Sequence, residues 1–301
     1  MSGRDIGASV RHRLLNQARA QSRPFQELLQ YFAMERFLYR LAKSPYADRF
    51  FLKGALLLTA WRAPLSRPTM DIDLAGRTNN QLDHIKEVVV AVCEFAVEPD
   101  GIQFNRSSIE VSRIKEDADY EGIRVRFHAT LARARIPMQL DIGFGDVITP
   151  GPTEIEYPSL LDFPAPVLRA YPKETVVAEK LEALTALGLL NSRMKDFYDL
   201  ALLSRMYPFE GERLAEAIVA TFHHRGTTIE AEPIGLTRAY CDDPTRAVQW
   251  GAFVRRSRFG DEAGDLARLV DEIRPFALPV LATVAAENSF TVRWKPGGPW
   301  E

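Results

Sequence analysis

The stretch from Phe51 to Leu74, FLKGALLLTAWRAPLSRPTMDIDL, puts two alternating carboxylates, Asp71 and Asp73, downstream of a Lys53-Gly54 step. A strand has a side-chain period of two, so Asp71 and Asp73 share one face while Met70, Ile72 and Leu74 are expected in the core. Two neighbouring carboxylates repel each other. A divalent cation or a shared proton offsets that repulsion, and hard Mg2+ held by carboxylates and substrate phosphates is the usual solution. Gly54 permits close approach of backbone to a phosphate, and a helix begun there aims N–H groups and its positive dipole end at an anion. These residues point to a metal-dependent nucleotide site, although a lone Asp-x-Asp also occurs on solvated strand faces.

The order of parts is more specific than the pair: Lys-Gly, a short apolar helix, an Arg/Pro loop with Arg67, then Thr69 and Asp-Ile-Asp. This order resembles the first motif of the nucleotidyltransferase superfamily, and within it the AbiEii-like toxin family, which includes the mycobacterial MenT toxins. Three later segments extend the resemblance. QLDIGFGD (Gln139 to Asp146) resembles the strand that brings a further acid, here Asp141, beside the metal pair. KETVVAEKLEAL (Lys173 to Leu184) resembles the lysine-bearing helix, and RMKDFYDLALL (Arg193 to Leu203) the Lys-Asp-x-x-Asp-Leu helix. One departure stands out. Many superfamily members have Gly-Ser in the first motif, whereas this chain has Gly54-Ala55, which leaves a phosphate contact to backbone N–H groups or to Thr69.

The resemblance implies an α/β (α+β) fold: a nucleotidyltransferase-like mixed sheet with flanking helices over residues 1–165, and a mainly helical C-terminal lobe over 166–301. It implies Asp71, Asp73 and Asp141 as metal ligands, with Asp141 alternatively the base that takes the acceptor proton. Lys180 becomes a triphosphate contact, joined by Lys53, Gly54, Arg67 and Thr69. Asp196 or Asp199 orients Lys180 or the acceptor, with Asp196 preferred. The residues alone leave other readings open. Lys180, after Val176-Val177-Ala178, either snorkels to water or meets an anion, and Asp196 could simply complement a helix dipole. Phe144, Phe197 and Tyr198 either stack a base or pack in a core.

The periodicity agrees with this layout. Leu14, Leu15 and Ala18, then Phe25, Leu28, Leu29, Phe32, Met34 and Leu38, recur at three and four and predict two amphipathic helices. Gln81 to Phe95 reads as a helix. Strands are expected over Ile109 to Ile114, Ile123 to Leu131 and Ile136 to Phe144, with Glu121-Gly122 in the first turn. Pro150, Pro152, Pro158, Pro164 and Pro166 mark an irregular connection to the second half. There, beyond the Lys180 and Asp196 helices, Gly211 to Phe222, Pro244 to Ser257 and Gly264 to Ile273 read as helices, and Gly226 to Tyr240 as a loop.

With 38 Lys and Arg against 40 Asp and Glu, net charge is −2, so any binding of nucleic acid must come from a local basic patch. Arg124, Arg126, Arg133 and Arg135, evenly spaced on strands, are candidates, with Arg193, Arg255, Arg256 and Arg258 in the second half. His223-His224-Arg225 reads as a solvated helix end. Cys93 and Cys241 have no ligand-like spacing, which argues against a disulfide framework or zinc site. The N-terminus lacks an apolar signal core, and FALPVLATVAA is too short and too Pro-broken to span a bilayer. A cytoplasmic protein with no membrane segment is expected.

The leading functional expectation is an NTP-dependent, Mg2+-requiring nucleotidyltransferase toxin. The family implies transfer of NMP to an acceptor, the tRNA 3′ end in known cases, and a cognate antitoxin. The alternatives are a nucleotide-binding protein without transfer activity, supported by Ala55, and a metal-dependent nuclease, which leaves the Lys-Gly turn and Lys180 unexplained.

Overall fold

A computed structural model of the chain describes residues 6–63, 68–117, 120–257, 259 and 264–301. Two compact units form: one from Met1–Arg62, Thr69–Asp146 and Thr153–Ala170, the other from Ala63–Pro68, Val147–Pro152 and Tyr171–Glu301.

The first unit contains α1 (Ile6–Ala20), α2 (Phe25–Lys43), β1 (Phe50–Lys53), α3 (Leu56–Ala60), β2 (Ile72–Gly76) and α4 (Leu82–Cys93), then β3 (Ile102–Asp117), β4 (Tyr120–Leu131), β5 (Ala134–Phe144), β6 (Thr153–Glu156) and β7 (Val167–Ala170). Its seven strands make one mixed sheet in the order β3-β4-β5-β2-β1-β7-β6. The β2 strand is central, parallel to β5 and antiparallel to β1. Alternation decides what is inside. Ile123, Val125, Phe127, Ala129 and Leu131 of β4 are buried, as are Ile136, Met138, Leu140 and Ile142 of β5, while Arg126 between them is exposed. Phe127 and Phe104 meet Phe37 of α2 with ring centroids 5.7 and 5.8 Å apart.

From Leu28 to Leu41 every residue of α2 is buried, so its polar groups need partners inside. Arg40 grips Asp100 through two hydrogen bonds of 2.7 and 3.1 Å. Glu35 accepts from the Ser159 hydroxyl (2.9 Å) and the Leu160 N–H (2.8 Å), and pairs with Arg36. Burial pushes the Glu35 carboxyl above its usual range, and Arg36 and these donors pull it back.

Several expectations change here. The segment expected as an irregular connection contributes β6 and β7, extending the sheet past β1. Thr153–Glu156 is a mostly exposed edge strand with two glutamates and carries no apolar alternation to betray it. The run Phe50–Lys53 is buried at all four positions, so it too lacked the period of two. Glu121 and Gly122 pair with Lys115 and Ile114 inside the β3–β4 ladder, not in a turn. Met70 is 48% exposed and lies outside the core that receives Ile72 and Leu74.

The second unit contains α5 (Lys173–Leu187), α6 (Met194–Met206), β8 (Phe209–Glu210), α7 (Gly211–Arg225), α8 (Arg238–Cys241), α9 (Pro244–Ser257), α10 (Leu266–Ala285) and β9 (Arg293–Trp294). The last helix runs twelve residues past its expected end at Ile273, straight through Pro275 and Pro279. Each proline forfeits one backbone donor. Phe276, Ala277, Val280 and Leu281 on the same helix are fully buried, and that packing against α6 and α7 outweighs the loss. The segment expected as a loop ends in α8, which buries Tyr240 and Cys241. Among the described residues no helix is long and apolar enough to cross a membrane.

Phe127 sits where the sheet, α2 and Phe104 converge. Phe127→Ala is expected to cost about 3–5 kcal/mol, read as a lower urea midpoint. An unchanged midpoint would show that this cluster does not hold the unit together.

Candidate active site

Strand register lines up a row of charge on one face of the sheet. Lys53 of β1 is opposite Asp73 of β2, Asp73 is opposite Asp141 of β5, and Asp141 is opposite Arg124 of β4. Residues directly opposite one another on paired strands point the same way, with strands about 4.8 Å apart, so the row reads Lys, Asp, Asp, Arg. The two central carboxylates are neighbours that repel, and each has a cation on its outer side. Arg124 takes both oxygens of Asp141, with Nε to Oδ1 at 2.8 Å and Nη2 to Oδ2 at 2.7 Å, and Gln139 donates to Oδ2 at 3.3 Å. The Lys53 ammonium donates to Asp146 Oδ2 at 3.1 Å, where the Asp146 side chain is 2% exposed.

Asp71 precedes β2 and, like Asp73, is half-buried, while Ile72 between them is fully buried. The alternation expected for this pair is therefore present. The Thr69 hydroxyl lies 3.4 Å from both the N and the O of Asp71, a local turn contact that sets the backbone of Asp71. Gly54 has φ of +72°, and a Cβ there would sit 2.0 Å from Asp73 Oδ2. The space left by the missing side chain is filled by the Asp73 carboxylate. The helix itself starts two residues later than expected: α3 begins at Leu56 and spans five residues, with the Leu57 N–H bonded back to the Gly54 carbonyl at 3.2 Å.

In the second unit Lys180 of α5 donates to Asp196 Oδ1 at 2.7 Å and pairs with Asp199 Oδ2 at 2.8 Å, both on α6. The i, i+3 spacing of the acids puts both on one helix face, where one ammonium bridges them. Arg193 Nε lies 3.6 Å from Asp196 Oδ2. Burial pushes the Asp196 carboxyl up, but Lys180, Lys195 and Arg193 outweigh it and hold the group below the usual carboxylate range. Lys180 thus neither snorkels nor stands alone, and Asp196 and Asp199 share the work of fixing it.

Other expected residues take different places. Phe197 stacks on Tyr240 (5.4 Å between centroids) and Tyr198 on Phe259 (4.1 Å), so both are core residues and not base platforms. Arg133 lies in the β4–β5 turn and not on a strand face with Arg135. Arg124 is committed to Asp141, which removes it from the expected basic patch; Arg126 is exposed and bonds only to Gln139 (3.1 Å) among the described residues. Arg225 clamps Glu182 (2.7 Å) and Glu179 (3.3 Å), so it ties α7 to α5. Arg67 and Arg258 lie outside the described residues. Sequence reasoning gave no role to Asp146 or Asn191. Asp146 ends the acidic segment Gln139 to Asp146 and is visible there, while Asn191, whose carbonyl accepts from Tyr240 at 2.7 Å, has no sequence signal.

Among the described residues no three His, Cys, Asp or Glu side chains are gathered as metal ligands. Asp141 is held through both its oxygens by Arg124. The hard-oxygen pair Asp71 and Asp73 does fit Mg2+, which is commonly held by one or two carboxylates with waters and substrate phosphates completing its shell.

The family model of the nucleotidyl transferase AbiEii toxin, type IV toxin–antitoxin system, matches residues 36–274. The chain belongs to this family, and it is a nucleotidyltransferase. Two solved structures from Helicobacter pylori are similar over 87% of this chain at 17% identity: a protein proposed to be a nucleotidyltransferase (TM-score 0.47, 97% of that chain) and JHP933 (TM-score 0.48, 94% of that chain). No curated protein matches the chain.

Two outcomes follow from the geometry. Gly54→Ala should lose about 1–2 kcal/mol from the left-handed backbone alone, and more from displacement of Asp73. A denaturation curve that overlays the parent would contradict the close packing of Asp73 on Gly54. Lys180→Met leaves two buried carboxylates without their counter-charge and should cost about 3–5 kcal/mol at neutral pH. Because the folded Asp196 value is depressed, its stabilisation is present above the unfolded value of about 3.9 and lost as pH falls below it. The deficit of Lys180→Met should therefore shrink in acid; a deficit independent of pH from 7 to 3 would rule out the ion triad as its origin.

Proposed function

We propose that the chain transfers a nucleoside monophosphate from a nucleoside triphosphate to the 3′-terminal hydroxyl of an RNA, with a tRNA acceptor end as substrate, at a site that uses Mg2+. The observation that carries this reading is the charge row around β2: Asp73 of β2 beside Asp141 of β5, flanked by Lys53 and Arg124, with Asp71 just ahead of β2. Asp71 and Asp73 would hold the metal. A divalent cation bound there neutralises phosphate charge and acidifies the acceptor hydroxyl. Lys53 adds a fixed positive charge one strand away, suited to triphosphate oxygens, with Thr69, the Gly54 backbone and Arg67 as further phosphate contacts. Lys180, oriented by Asp196 and Asp199, is assigned to the triphosphate as well.

In the reaction the acceptor 3′-oxygen forms a bond to the α-phosphorus, the α–β anhydride bond breaks, and pyrophosphate leaves. The hydroxyl proton goes to a carboxylate or water. Asp141 can take it, or act as a third ligand, through acceptor capacity that its Arg124 contact leaves on the carboxylate. The family implies a toxin with an antitoxin partner; blocked translation follows if the modified RNA is tRNA.

Asp71→Asn and Asp73→Asn should each reduce incorporation of labelled NTP into total RNA by at least a thousandfold. Their melting temperatures without Mg2+ should equal or exceed the parent's, because one of two repelling charges is gone. Full activity in both variants would refute the metal assignment. Labelled triphosphate bound without transfer would favour the binding-protein reading, and shortened RNA the nuclease.

A further inference from the structure

One groove of the first unit is not used by the site described above. It has a volume of about 450 Å³ and begins beside Asp71, on the same sheet face as the charge row. Register makes the relation explicit. Arg126 pairs with Gln139 one row from the Arg124–Asp141 row, and His128 pairs with Pro137 one row further, with Arg135 beyond. Arg126 and Arg135 are exposed, and among the described residues neither is in an ion pair. Arg135 instead contacts His128 Nδ1 at 3.2 Å. The groove carries one opposing charge besides Asp71, Glu110, which lies opposite Arg126 in the ladder.

Two further features are those of a binding site. Gln30 is 1% exposed and lines the groove; its amide nitrogen donates to the carbonyls of Met70 (3.2 Å) and Pro137 (2.8 Å). Those two acceptors fix the amide orientation. The Gln30 Oε1 is then a buried acceptor with no hydrogen-bond donor, a state that polar groups inside proteins rarely keep. Met70, also on the groove, is 48% exposed, and its unbranched thioether is suited to an aromatic ring.

We infer that this groove is the acceptor subsite: it receives the 3′-terminal nucleotides of a single-stranded RNA, directing the terminal hydroxyl toward Asp71. The inference rests on the reading of the chain as an RNA nucleotidyltransferase and deepens it. Arg126 and Arg135, with His128, meet successive phosphodiesters. Arg126 and His128 are two residues apart on one strand face, an advance of about 6.8 Å, comparable to the phosphate repeat of an extended strand. Gln30 Oε1 accepts from a ribose 2′-hydroxyl or a base amine, and a base lies on Met70. The 2′-hydroxyl is the group that distinguishes RNA from DNA. The volume is within the range of small-ligand sites, roughly 300–1,000 Å³, and does not accommodate a duplex.

The test uses a 5′-fluorescein RNA heptamer ending in CCA, its all-deoxy counterpart, and a mant-labelled ATP, each titrated by fluorescence against the full chain and an Arg126→Ala/Arg135→Ala double variant. The double variant should bind the RNA at least tenfold more weakly, with a salt slope flatter by about 1.4, since each single-strand phosphate contact contributes roughly 0.7. Its mant-ATP affinity should stay within twofold of the parent's, and the parent should prefer RNA to DNA. Equal RNA affinity and slope in parent and variant overturn the subsite, as do loss of triphosphate binding along with RNA binding, no RNA binding by the parent, or no preference for RNA. The broader reading is judged separately, by whether the parent incorporates labelled NTP into total RNA. If it does and the double variant matches it, only the groove assignment fails; if it labels protein or nothing, the reading itself fails.

Discussion

The repulsion between Asp73 and Asp141, side by side on parallel central strands, is the constraint around which the first unit is arranged. Parallel pairing of β2 with β5 makes it unavoidable, since register holds the two residues opposite one another. The fold offsets it locally. Lys53 lies on one side with its own buried partner, Asp146, and Arg124 on the other in a two-point contact to Asp141. Gly54 completes the arrangement by leaving room for the Asp73 carboxylate. A cation or a phosphate-bearing ligand entering this face meets charges already balanced in pairs, and binding exchanges one counter-charge for another.

The second unit shows the same economy in a different form. Lys180 joins α5 to α6 by satisfying two acids at once, with Arg193 close by. A half-buried lysine between two buried carboxylates leaves the cluster with one net negative charge, partly relieved by Arg193. That charge state ties the stability of the helix pair to the ionisation of Asp196, whose value is depressed. It also means that a phosphate contact by Lys180 would come from an ammonium already fixed in direction, with its conformational freedom spent on folding.

The legible parts of the chain were those with a clean period. The Asp-Ile-Asp alternation, the long β4 and β5 strands and α1 carry a repeat of two or near 3.6, and all formed; α2 also formed, but as a helix buried on every side from Leu28 to Leu41 and not as the expected amphipathic one. β1 was hidden because burial on both faces erased its alternation, and β6 because exposure at an edge did the same. The C-terminal helix continues past its expected end and through Pro275, whose local penalty is overruled by four fully buried side chains beyond it. For the site, residue types were readable and partners were not. Nothing local to Arg124 indicates that it pairs with Asp141, since that contact depends on register between strands. Phe197 and Tyr198 carry the same signal whether they stack a base or a neighbouring ring, and long-range packing chose the ring.

The proposed reaction requires Asp71 and Asp73 to hold a divalent cation. Mn2+ reports this directly by electron paramagnetic resonance, because the hydrated ion loses its signal on binding. Titrated into the parent chain in the presence of a nucleoside triphosphate, Mn2+ should bind beyond what the triphosphate alone takes up, and Asp71→Asn/Asp73→Asn should abolish that excess while remaining folded by circular dichroism. The same excess Mn2+ bound by the folded double variant would contradict the account.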